Sequence, residues 1–512
     1  IIRPTPAIIG LGLLLFIVMP KLKSDNDIIS KIEEDWLDLA TTDKNKEPVR
    51  VEPRSTTLKE SFLRYHEMPN AEFKNMAGAM FTSSYSQAKV VRQSHPWFTP
   101  PYHDDVVNRD KKFCTETCCA TPIAISISQE DRRIINTFDG LDLADVVLQH
   151  YSSRRLDFFA PTLTPDLLSC LQPGVIIHLD NHNIINDYFF EKLRKKITVP
   201  YVLITSDTDG PSPNRYQDDD LLIRLYGSNA DIGRLDRIKN ENELQKAKDK
   251  IVAFPLGLSK MHDQSRFLQK YLELRNYTNP FRGRDEKRRW TDWATSLHQK
   301  EKNGEAIDTF AEVRDVMFIR YGIKRQSHEM RTTVFNNFCN FTDSDVRSKY
   351  TPREPVSCQM KKVSPHQIYR AASTYLFGFS PVGAGWDCYR TYELLLLGVI
   401  PIVVGLKSGS HGLFDGLPVI ELPYNTNFTA YRTEDYLRLM RDYVTSAEFH
   451  SRDFDDGWER LFLKYWRQRV LRDAGREKEV VTDENGEEYY VAWEYKPKQP
   501  RVLCAEKDNC QT

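Results

Sequence analysis

The segment PVGAGWDCYRTYELLLLGVIPIVV, residues 381–404, joins two apolar runs through a glycine-containing turn. One run, at 373–381, precedes the two glycines of the turn, and the other occupies 399–404. Between them, residues 387–398 carry four consecutive leucines and close on a glycine, a common residue at helix ends. The segment therefore predicts a strand, a tight turn, a buried helix and a second strand, which is the repeating unit of a parallel sheet.

The turn and the first residues of the predicted helix carry side chains that suit an anionic ligand. Gly383 and Gly385 let the backbone turn tightly and approach a ligand, and Asp387 can cap the helix. Arg390 has a forked donor that suits a diphosphate. Glu393 lies three residues further on the same face and can accept hydrogen bonds from two ribose hydroxyls. The pattern favours a nucleoside diphosphate, although an ordinary capped helix with an Arg390–Glu393 pair has the same sequence.

Elements of the same kind flank this segment. Before it, strands are predicted at 175–180, 201–207 and 251–258, and the first two end in polar residues. Helical spacing separates the first two strands at 187–197. This order predicts an α/β fold with a parallel, doubly wound sheet and a site at its carboxyl edge. A second α/β set is predicted around the segment, with further strands at 315–322 and 417–423 and a helix at 327–338.

The chain divides into two α/β halves with extra segments at both ends. A highly charged stretch at 281–303 separates the halves and is interpreted as a linker. The residues after Arg476 are charged and predict a loose tail as far as Cys504. The predicted organisation is a membrane anchor at 1–23, a stem and irregular lead-in at 24–110, a first Rossmann-like domain at 111–300, a second at 301–435, C-terminal helices at 436–475 and a tail at 476–512.

The composition of the 512 residues is that of a globular protein. Hydrophobic residues make up 40% of the chain and charged residues 28%, and the length suits two domains of ordinary size. The 71 basic and 72 acidic side chains leave a formal net charge of -1. A nucleic-acid interface usually needs a basic excess on one face, so we expect no nucleic-acid partner.

An uncharged apolar run, Ala7–Met19, lies near the start of the chain. Extended to Ile1 and Pro20, it approaches the roughly 20 residues of a membrane helix. A cleaved signal peptide is the alternative, but the following residues VMPKLKSD offer no small-residue cleavage site. We therefore expect an uncleaved signal anchor, a single-pass type II orientation and a lumenal main part. Because the chain starts at Ile1, we expect its true N-terminus to lie upstream.

The cysteines and the N-x-T sequons agree with a lumenal location. The sequons start at Asn276, Asn340 and Asn427. The nine cysteines include a cluster and two further pairs: Cys114, Cys118 and Cys119; Cys504 and Cys510; and Cys339 with Cys358. An odd total leaves at least one thiol free. Buried thiols in a cytosolic protein are the alternative, whereas a zinc site lacks a second close pair of ligands.

The opening segment resembles the donor-binding motif of the exostosin family of glycosyltransferases. The usual form in that family is Pro-Arg-Gly-Asn-Gly-x-Asp, then Arg-x-x-Glu-Ala-Leu, then Leu-Gly-x-x-Pro-Val. Here the motif reads Pro381-Val-Gly383-Ala-Gly385-Trp-Asp387, then Arg390-Thr-Tyr-Glu393-Leu-Leu, then Leu397-Gly398-Val-Ile-Pro401. Val382 and Ala384 stand where the family often has Arg and Asn. The match is specific over about 45 residues, from Tyr369 to Leu413, and loose elsewhere.

The resemblance implies a transferase of the Golgi or endoplasmic reticulum membrane and of the GT-B type, with two Rossmann-like domains facing across a cleft. It implies inverting transfer of a sugar from a UDP-sugar to a glycan or glycoprotein acceptor, without a metal or other cofactor. Residues 111–300 would form the acceptor side and 301–435 the donor side, and too few residues follow for a second transferase domain. The implied donor-binding residues are Gly383, Gly385, Asp387, Arg390, Glu393 and, from the segment SHEMR at 327–331, Arg331.

Inversion needs a general base that deprotonates the acceptor hydroxyl. The candidates lie where strands of the first half end, and they are Asp180 and His182 in HLDNHN and Asp207 and Asp209 in DTD. Each of these side chains also suits a turn. The sequence DTD at 207–209 matches the Asp-x-Asp motif of a manganese site in one-domain transferases. Its position in the acceptor half favours a turn or an acceptor contact.

Two other functions stay open at this stage. One is a different GT-B enzyme that uses a GDP-sugar, such as a fucosyltransferase. The other is a catalytically inactive lumenal protein of the same fold that binds glycans or partner enzymes. The departures at Val382 and Ala384 favour the second alternative, because they remove two contacts of the family motif.

Overall fold

The computed structural model describes parts of the chain between Phe113 and Lys498. The described ranges are 113–126, 132–136, 139–148, 163–180, 183–206, 219–229, 240–259, 262–320, 329–339, 365–383, 385–405, 412–477, 480–482, 485–486 and 488–498. The predicted anchor at 1–23 and stem at 24–110 lie outside these ranges. Among the described residues, no helix combines the length and the apolar composition that a membrane crossing requires.

The described strands form three sheets. In chain order they are β1 (Phe113–Cys114), β2 (Cys118–Ser126), β3 (Val146–Leu148), β4 (Val175–Asp180), β5 (Tyr201–Ser206), β6 (Leu222–Ser228), β7 (Ile251–Phe254), β8 (Met317–Phe318), β9 (Phe377–Ser380), β10 (Ile400–Val404), β11 (Ile420–Leu422), β12 (Val481–Thr482) and β13 (Glu488–Pro497).

Helices connect most of these strands. They are α1 (Asp139–Asp142), α2 (Asn183–Tyr188), α3 (Glu241–Lys250), α4 (His262–Leu274), α5 (Gly283–Lys302), α6 (Thr309–Val316), α7 (Glu329–Cys339), α8 (Pro365–Ala372), α9 (Tyr389–Leu396), α10 (Thr433–Thr445), α11 (Ala447–Ser451), α12 (Asp455–Trp458) and α13 (Leu463–Asp473). A π-helical turn, Phe189–Leu193, continues α2, and short 3-10 turns occur at Pro165–Cys170, Arg194–Lys196 and Glu459–Leu461.

Two parallel sheets confirm the predicted α/β class. The first has the strand order β3-β4-β5-β6-β7 and the second the order β8-β9-β10-β11, and all neighbours within each are parallel. Their central strands are apolar runs that are buried on both faces, as a covered parallel sheet requires. We call the part of the chain with β3–β7 the first lobe and the part with β8–β11 the second lobe.

The order of the strands follows the chain in both sheets. A doubly wound sheet reverses its order at a switch point, and the described strands contain no such reversal, so this part of the prediction is not met by them. The carboxyl ends of the strands nevertheless share one edge in each sheet, because every strand points the same way. Residues that follow β6 and β7, or β8 and β9, therefore lie at those edges.

A third, antiparallel sheet corrects the prediction of a loose C-terminal tail. β13 pairs with β2 along its length, from Tyr489 opposite Ser126 to Pro497 opposite Cys118. The sequence suggests a tail because charged residues surround the strand and also occur in it, at Glu488, Glu494 and Lys496, whereas its buried residues are the short run Tyr490–Ala492 and Tyr495. The last described strand therefore belongs to the same sheet as the first two.

The described residues contain two disulfides in this sheet, one of which ties it to the first lobe. Cys114–Cys119 closes the hairpin of β1 and β2, and Cys118–Cys170 ties β2 to the 3-10 turn before β4. The predicted cluster of cysteines is therefore bonded, and its missing partner is Cys170. Cys388 is a free thiol. Cys358, the predicted mate of Cys339, lies outside the described residues, as do Cys504 and Cys510.

The charged stretch at 281–303 is a helix, α5, and the prediction of a linker there is wrong. Its apolar side chains recur at helical spacing, and those that are buried are Trp290, Trp293, Ala294 and Leu297. Trp290 donates a hydrogen bond from Nε1 to the carbonyl of Leu376 over 2.9 Å. The ring of Trp293 lies 5.4 Å from that of Phe377 in β9. The charged residues coat the outer side of a helix that covers the second sheet.

The chain returns to the first lobe through α13. The hydroxyl of Tyr226 in β6 donates to Asp473 over 2.6 Å, and the ring of Trp466 lies 5.2 Å from that of Phe254 in β7. The backbone N–H of Leu463 donates to the carbonyl of Arg133 over 2.9 Å. A helix that follows the second sheet in sequence is therefore part of the core of the first.

Candidate functional site

The candidate site begins where β9 ends and α9 starts. β9 pairs in parallel with β10, and α9 lies between them in sequence, so the predicted strand, turn, helix and strand are confirmed. Gly398 ends the helix with a φ of 71°, a backbone conformation that glycine adopts without strain. The leucines of α9 are buried and hold the helix against the core. Because α9 follows β9, its first residues lie at the carboxyl edge of the second sheet.

Asp387 does not cap this helix. The N-cap position belongs to Cys388, and the Asp387 carboxylate instead accepts two hydrogen bonds through Oδ2. One comes from the backbone N–H of Leu256 and the other from the hydroxyl of Tyr392, each over 2.7 Å. Leu256 follows β7, so this carboxylate joins the second lobe to the first. Burial raises the pKa of Asp387 to about 7.

The two glycines of the turn lie close to neighbouring protein groups. The N–H of Gly383 donates to the carbonyl of Gly385 over 2.8 Å and closes the turn. A Cβ on Gly383 would lie 3.1 Å from Nη2 of Arg331 and 3.3 Å from Sγ of Cys388. A Cβ on Gly385 would overlap the side chain of Asn229. A side chain at 385 would therefore displace Asn229, whereas one at 383 would need Arg331 and Cys388 to move by only a few tenths of an ångström.

Asn229 is a site residue that the sequence does not single out. It follows β6 in the first lobe, is buried and has a left-handed φ of 52°. Its Oδ1 accepts a hydrogen bond from the backbone N–H of Asp387 over 2.7 Å. The one local signal is the segment RLYGSNAD, in which small polar residues follow the strand. Such a signal marks the carboxyl edge but gives no indication of the partner.

Arg390 and Glu393 form an ion pair, with 2.7 Å between Nη1 and Oε2. The second oxygen of Glu393 accepts a hydrogen bond from Tyr369 over 2.8 Å. Glu393 is 5% exposed, so in this conformation both of its oxygens are engaged within the second lobe. The predicted ribose contact therefore requires that Arg390 release Oε2 or that a ribose use the remaining lone pairs.

Arg390 has two buried donors that no described residue satisfies. Its Nε and Nη1 are buried without an aligned hydrogen-bond acceptor among the described residues. The distance to Glu393 is short, but the angles are poor, so this contact is a close ion pair without an aligned hydrogen bond. The guanidinium carbon also lies 5.9 Å from the centre of the Phe318 ring. Buried N–H groups of this kind are stabilised when they meet an acceptor.

Arg320 lies near Arg390. It follows β8 at the carboxyl edge of the second sheet, and its pKa is lowered by burial and then by the positive charge of Arg390. Two guanidinium groups repel each other, and an anion between them would relieve that repulsion. The resemblance points to Arg331 as the phosphate-binding residue, whereas Arg320 is close enough to Arg390 for their charges to repel.

Arg331 braces the turn from α7. Its Nε donates to the carbonyl of Val382 over 2.8 Å, and its Nη2 donates to that of Pro381 over 3.3 Å. The thiol of Cys388 donates to the same Pro381 carbonyl over 3.1 Å. These contacts hold the backbone between β9 and α9. The predicted contact of Arg331 with a donor phosphate stays a prediction.

The candidate general bases are only partly described. Asp180 is the last residue of β4, and its backbone lies at the carboxyl edge of the first sheet. His182, Asp207 and Asp209 lie outside the described residues. His178 is buried in β4 with its pKa lowered by burial to about 3, which agrees with a core position.

Taken together, the site places two arginines, a closed glycine turn and the start of α9 at one sheet edge, in contact with the carboxyl edge of the other sheet. Amide donors at a helix start and partly buried guanidinium groups both favour a negatively charged ligand. No protein-family model matches the chain, and no curated protein is significantly similar to it.

Proposed function

We propose that the protein is an exostosin-like glycosyltransferase of the GT-B type, anchored in the Golgi membrane. It transfers a sugar from a UDP-sugar to a glycan or glycoprotein acceptor. The observation that supports this most directly is Arg390 at the start of α9, whose buried Nε and Nη1 lack aligned acceptors among the described residues. A diphosphate provides the acceptors that these two Arg390 donors lack. The neighbouring Arg320 supplies a second positive charge at the same edge.

In this proposal the diphosphate lies against the two arginines and the first N–H groups of α9. Arg390 turns from Glu393 toward the phosphates, and the freed carboxylate oxygen accepts from the ribose. Tyr369 keeps its hydrogen bond to the other oxygen and holds the carboxylate in place. The exchange pairs Arg390 with the phosphates and leaves both oxygens of Glu393 hydrogen-bonded to hydroxyl groups, which matters because a buried charged group without hydrogen bonds is costly.

The reaction needs a stabilised leaving group and a base. Arg390 and Arg320 stabilise the negative charge that develops on the departing UDP. A base at the carboxyl edge of the first sheet removes the acceptor proton, and Asp180, His182 and Asp207 are the proposed candidates. The two disulfides favour an oxidising, lumenal compartment, where such acceptors occur.

The proposal is tested by titrating UDP into the full chain and into Arg390→Ala by calorimetry. We expect the variant to bind UDP about 10- to 100-fold more weakly, since a hydrogen bond to a charged group is worth roughly 1.5–3 kcal/mol. Arg438→Ala removes an exposed arginine of the same lobe that pairs with Asp435, and it serves as the matched control. Equal affinity of wild type and Arg390→Ala for UDP would contradict the assignment.

A donor panel separates the proposed enzyme from its alternatives. The wild-type chain is incubated with UDP-sugars and GDP-sugars, and release of the free nucleotide is measured. We expect slow hydrolysis of one UDP-sugar. Preference for a GDP-sugar would favour the other GT-B class, and UDP binding without hydrolysis or transfer would favour an inactive glycan-binding protein.

A further inference from the structure

The glycine turn of the second lobe is held from the first lobe at two points. Asn229, after β6, accepts from the N–H of Asp387, and the N–H of Leu256, after β7, donates to the Asp387 carboxylate. Asn229 and Asp387 are 8% and 2% exposed, so both contacts are shielded from water. The strands β6 and β7 are neighbours, and the carboxyl edge of the first sheet therefore sets the position of the turn.

We infer that Asn229 is a positioning residue for the donor site: its contacts with Gly385 and Asp387 fix the start of α9, and hence Arg390, against the first lobe. The inference rests on the proposed function, because it concerns binding of the same diphosphate. Asn229 acts through the turn, so a residue of the acceptor side controls donor affinity.

The backbone conformation of Asn229 restricts which residue types can make this contact. Its φ of 52° is left-handed, and of the residues with a side chain, Asn and Asp tolerate this conformation best. The strained backbone directs the amide toward Gly385, so closely that the three atoms nearest to a Cβ on Gly385 all belong to Asn229. The glycine at 385 is therefore explained by the side chain that faces it. This interpretation replaces the expectation that Gly385 makes room for the ligand.

The contact of Asn229 with Gly385 and Asp387 also sets the position of Arg390. Arg390 lies three positions after Asp387, and the helix that carries it is fixed further by Tyr392, whose hydroxyl donates to the same carboxylate. A displacement of the turn therefore moves the guanidinium relative to Arg320 and to the phosphates. Ligand affinity is sensitive to such displacements, because both arginines must meet the diphosphate together.

The test is a suppressor experiment with UDP as the probe. Gly385→Ala places a methyl group on Asn229 and should weaken UDP binding about tenfold or more, the range expected of overpacking. Asn229→Gly keeps the left-handed backbone but loses the hydrogen bond, so it should weaken binding about 2- to 10-fold. In the double variant the methyl group has space, and the affinity should recover to about that of Asn229→Gly. Asn229→Asp retains an acceptor oxygen and should bind UDP nearly as the wild type does.

The outcomes separate this inference from the proposed function. If Gly385 touches the donor directly, Asn229→Gly gives no recovery in the double variant, and the inference is wrong while UDP binding stands. If the wild type binds no UDP, the proposed function fails. In that case, recovery of the unfolding temperature alone in the double variant would show that Asn229 and Gly385 are in contact but have no role in donor binding. That result would overturn the inference as well. Unfolding temperatures of all four variants are measured in parallel.

Discussion

Asp387 is a carboxylate in an interior position, and its two oxygens differ. Oδ2 accepts two hydrogen bonds, whereas Oδ1 is buried without a hydrogen-bond partner among the described residues. Desolvation disfavours the charged form, and this cause outweighs the hydrogen bonds that favour it. The contact between the lobes therefore includes a group that changes its charge near neutral pH.

The pH dependence of unfolding tests this environment. The folded-state pKa of Asp387, about 7, exceeds the unfolded value of 3.8, so the folded state binds the proton more tightly. Its contribution is therefore greatest at low pH and is lost as the pH rises toward 7. Between about pH 4.5 and about pH 7.5, the free energy of unfolding of the wild type should fall by about 3 kcal/mol more than that of Asp387→Asn.

Urea unfolding of both proteins across this range provides the measurement. The other titratable groups that face Asp387 stay neutral there, because the pKa of Tyr392 is raised well above its usual value and that of Cys388 is raised to about 11. Asp139 also has a pKa raised to about 7 and contributes equally to both proteins. Parallel pH profiles of the wild type and the variant would contradict the prediction.

At the scale of elements, β13 depends on one buried ion pair. Arg476 lies just before β12 and pairs with Asp145 over 2.5 Å. The same arginine donates to the carbonyl of Val491 in β13, and Asp145 accepts from the N–H of Ile176 over 2.9 Å. The pair therefore joins the C-terminal strand to the first sheet.

We expect Arg476→Met to cost about 3–5 kcal/mol of unfolding free energy, because it leaves the charge of Asp145 buried without its partner. Adding Asp145→Asn should restore part of this loss, since no buried charge then remains. Urea denaturation measures both variants. Arg438→Ala, in an exposed pair, is the control and should change stability by less than about 1 kcal/mol. A loss for Arg476→Met no larger than that of the control would contradict this account.

The elements that the sequence predicts well are those with local signals. β4, β5 and β10 are apolar runs of strand length, and α9 is marked by its leucines and by Gly398. Local patterns give a wrong prediction where a helix is charged over most of its surface and only a narrow row of side chains is buried, as in α5. They also fail where the partner is remote in sequence, as with β13 and with Asn229. The chemistry of Arg390 follows from its motif, but the partners of Asp387 and Glu393 depend on tertiary contacts.

At the scale of the whole molecule, the lobes share a core. α13 follows the second lobe but packs on β6 and β7 through Trp466 and the Tyr226–Asp473 hydrogen bond. Asp387 and Leu256 join the lobes just beyond the carboxyl end of β7. Neither lobe is complete without residues from the other half of the chain.

Calorimetry should therefore show one cooperative unfolding transition for both lobes, because separate transitions require separable cores. UDP should raise the temperature of that single transition, since a ligand that binds the native state stabilises all that unfolds with it. Two resolved transitions, with UDP shifting only one, would show that the lobes unfold independently. GDP at the same concentration is the control ligand and should give a smaller shift.

The pairing of β2 with β13 has a consequence for biosynthesis. β2 is among the first described strands to leave the ribosome, and its partner is the last. The nascent chain must therefore keep an open strand edge from joining other chains until residues 488–497 have been made. The Cys118–Cys170 bond can form long before that, because both thiols emerge early. Formation of this disulfide during translation would thus keep β2 in place until its pairing partner, β13, has been synthesised.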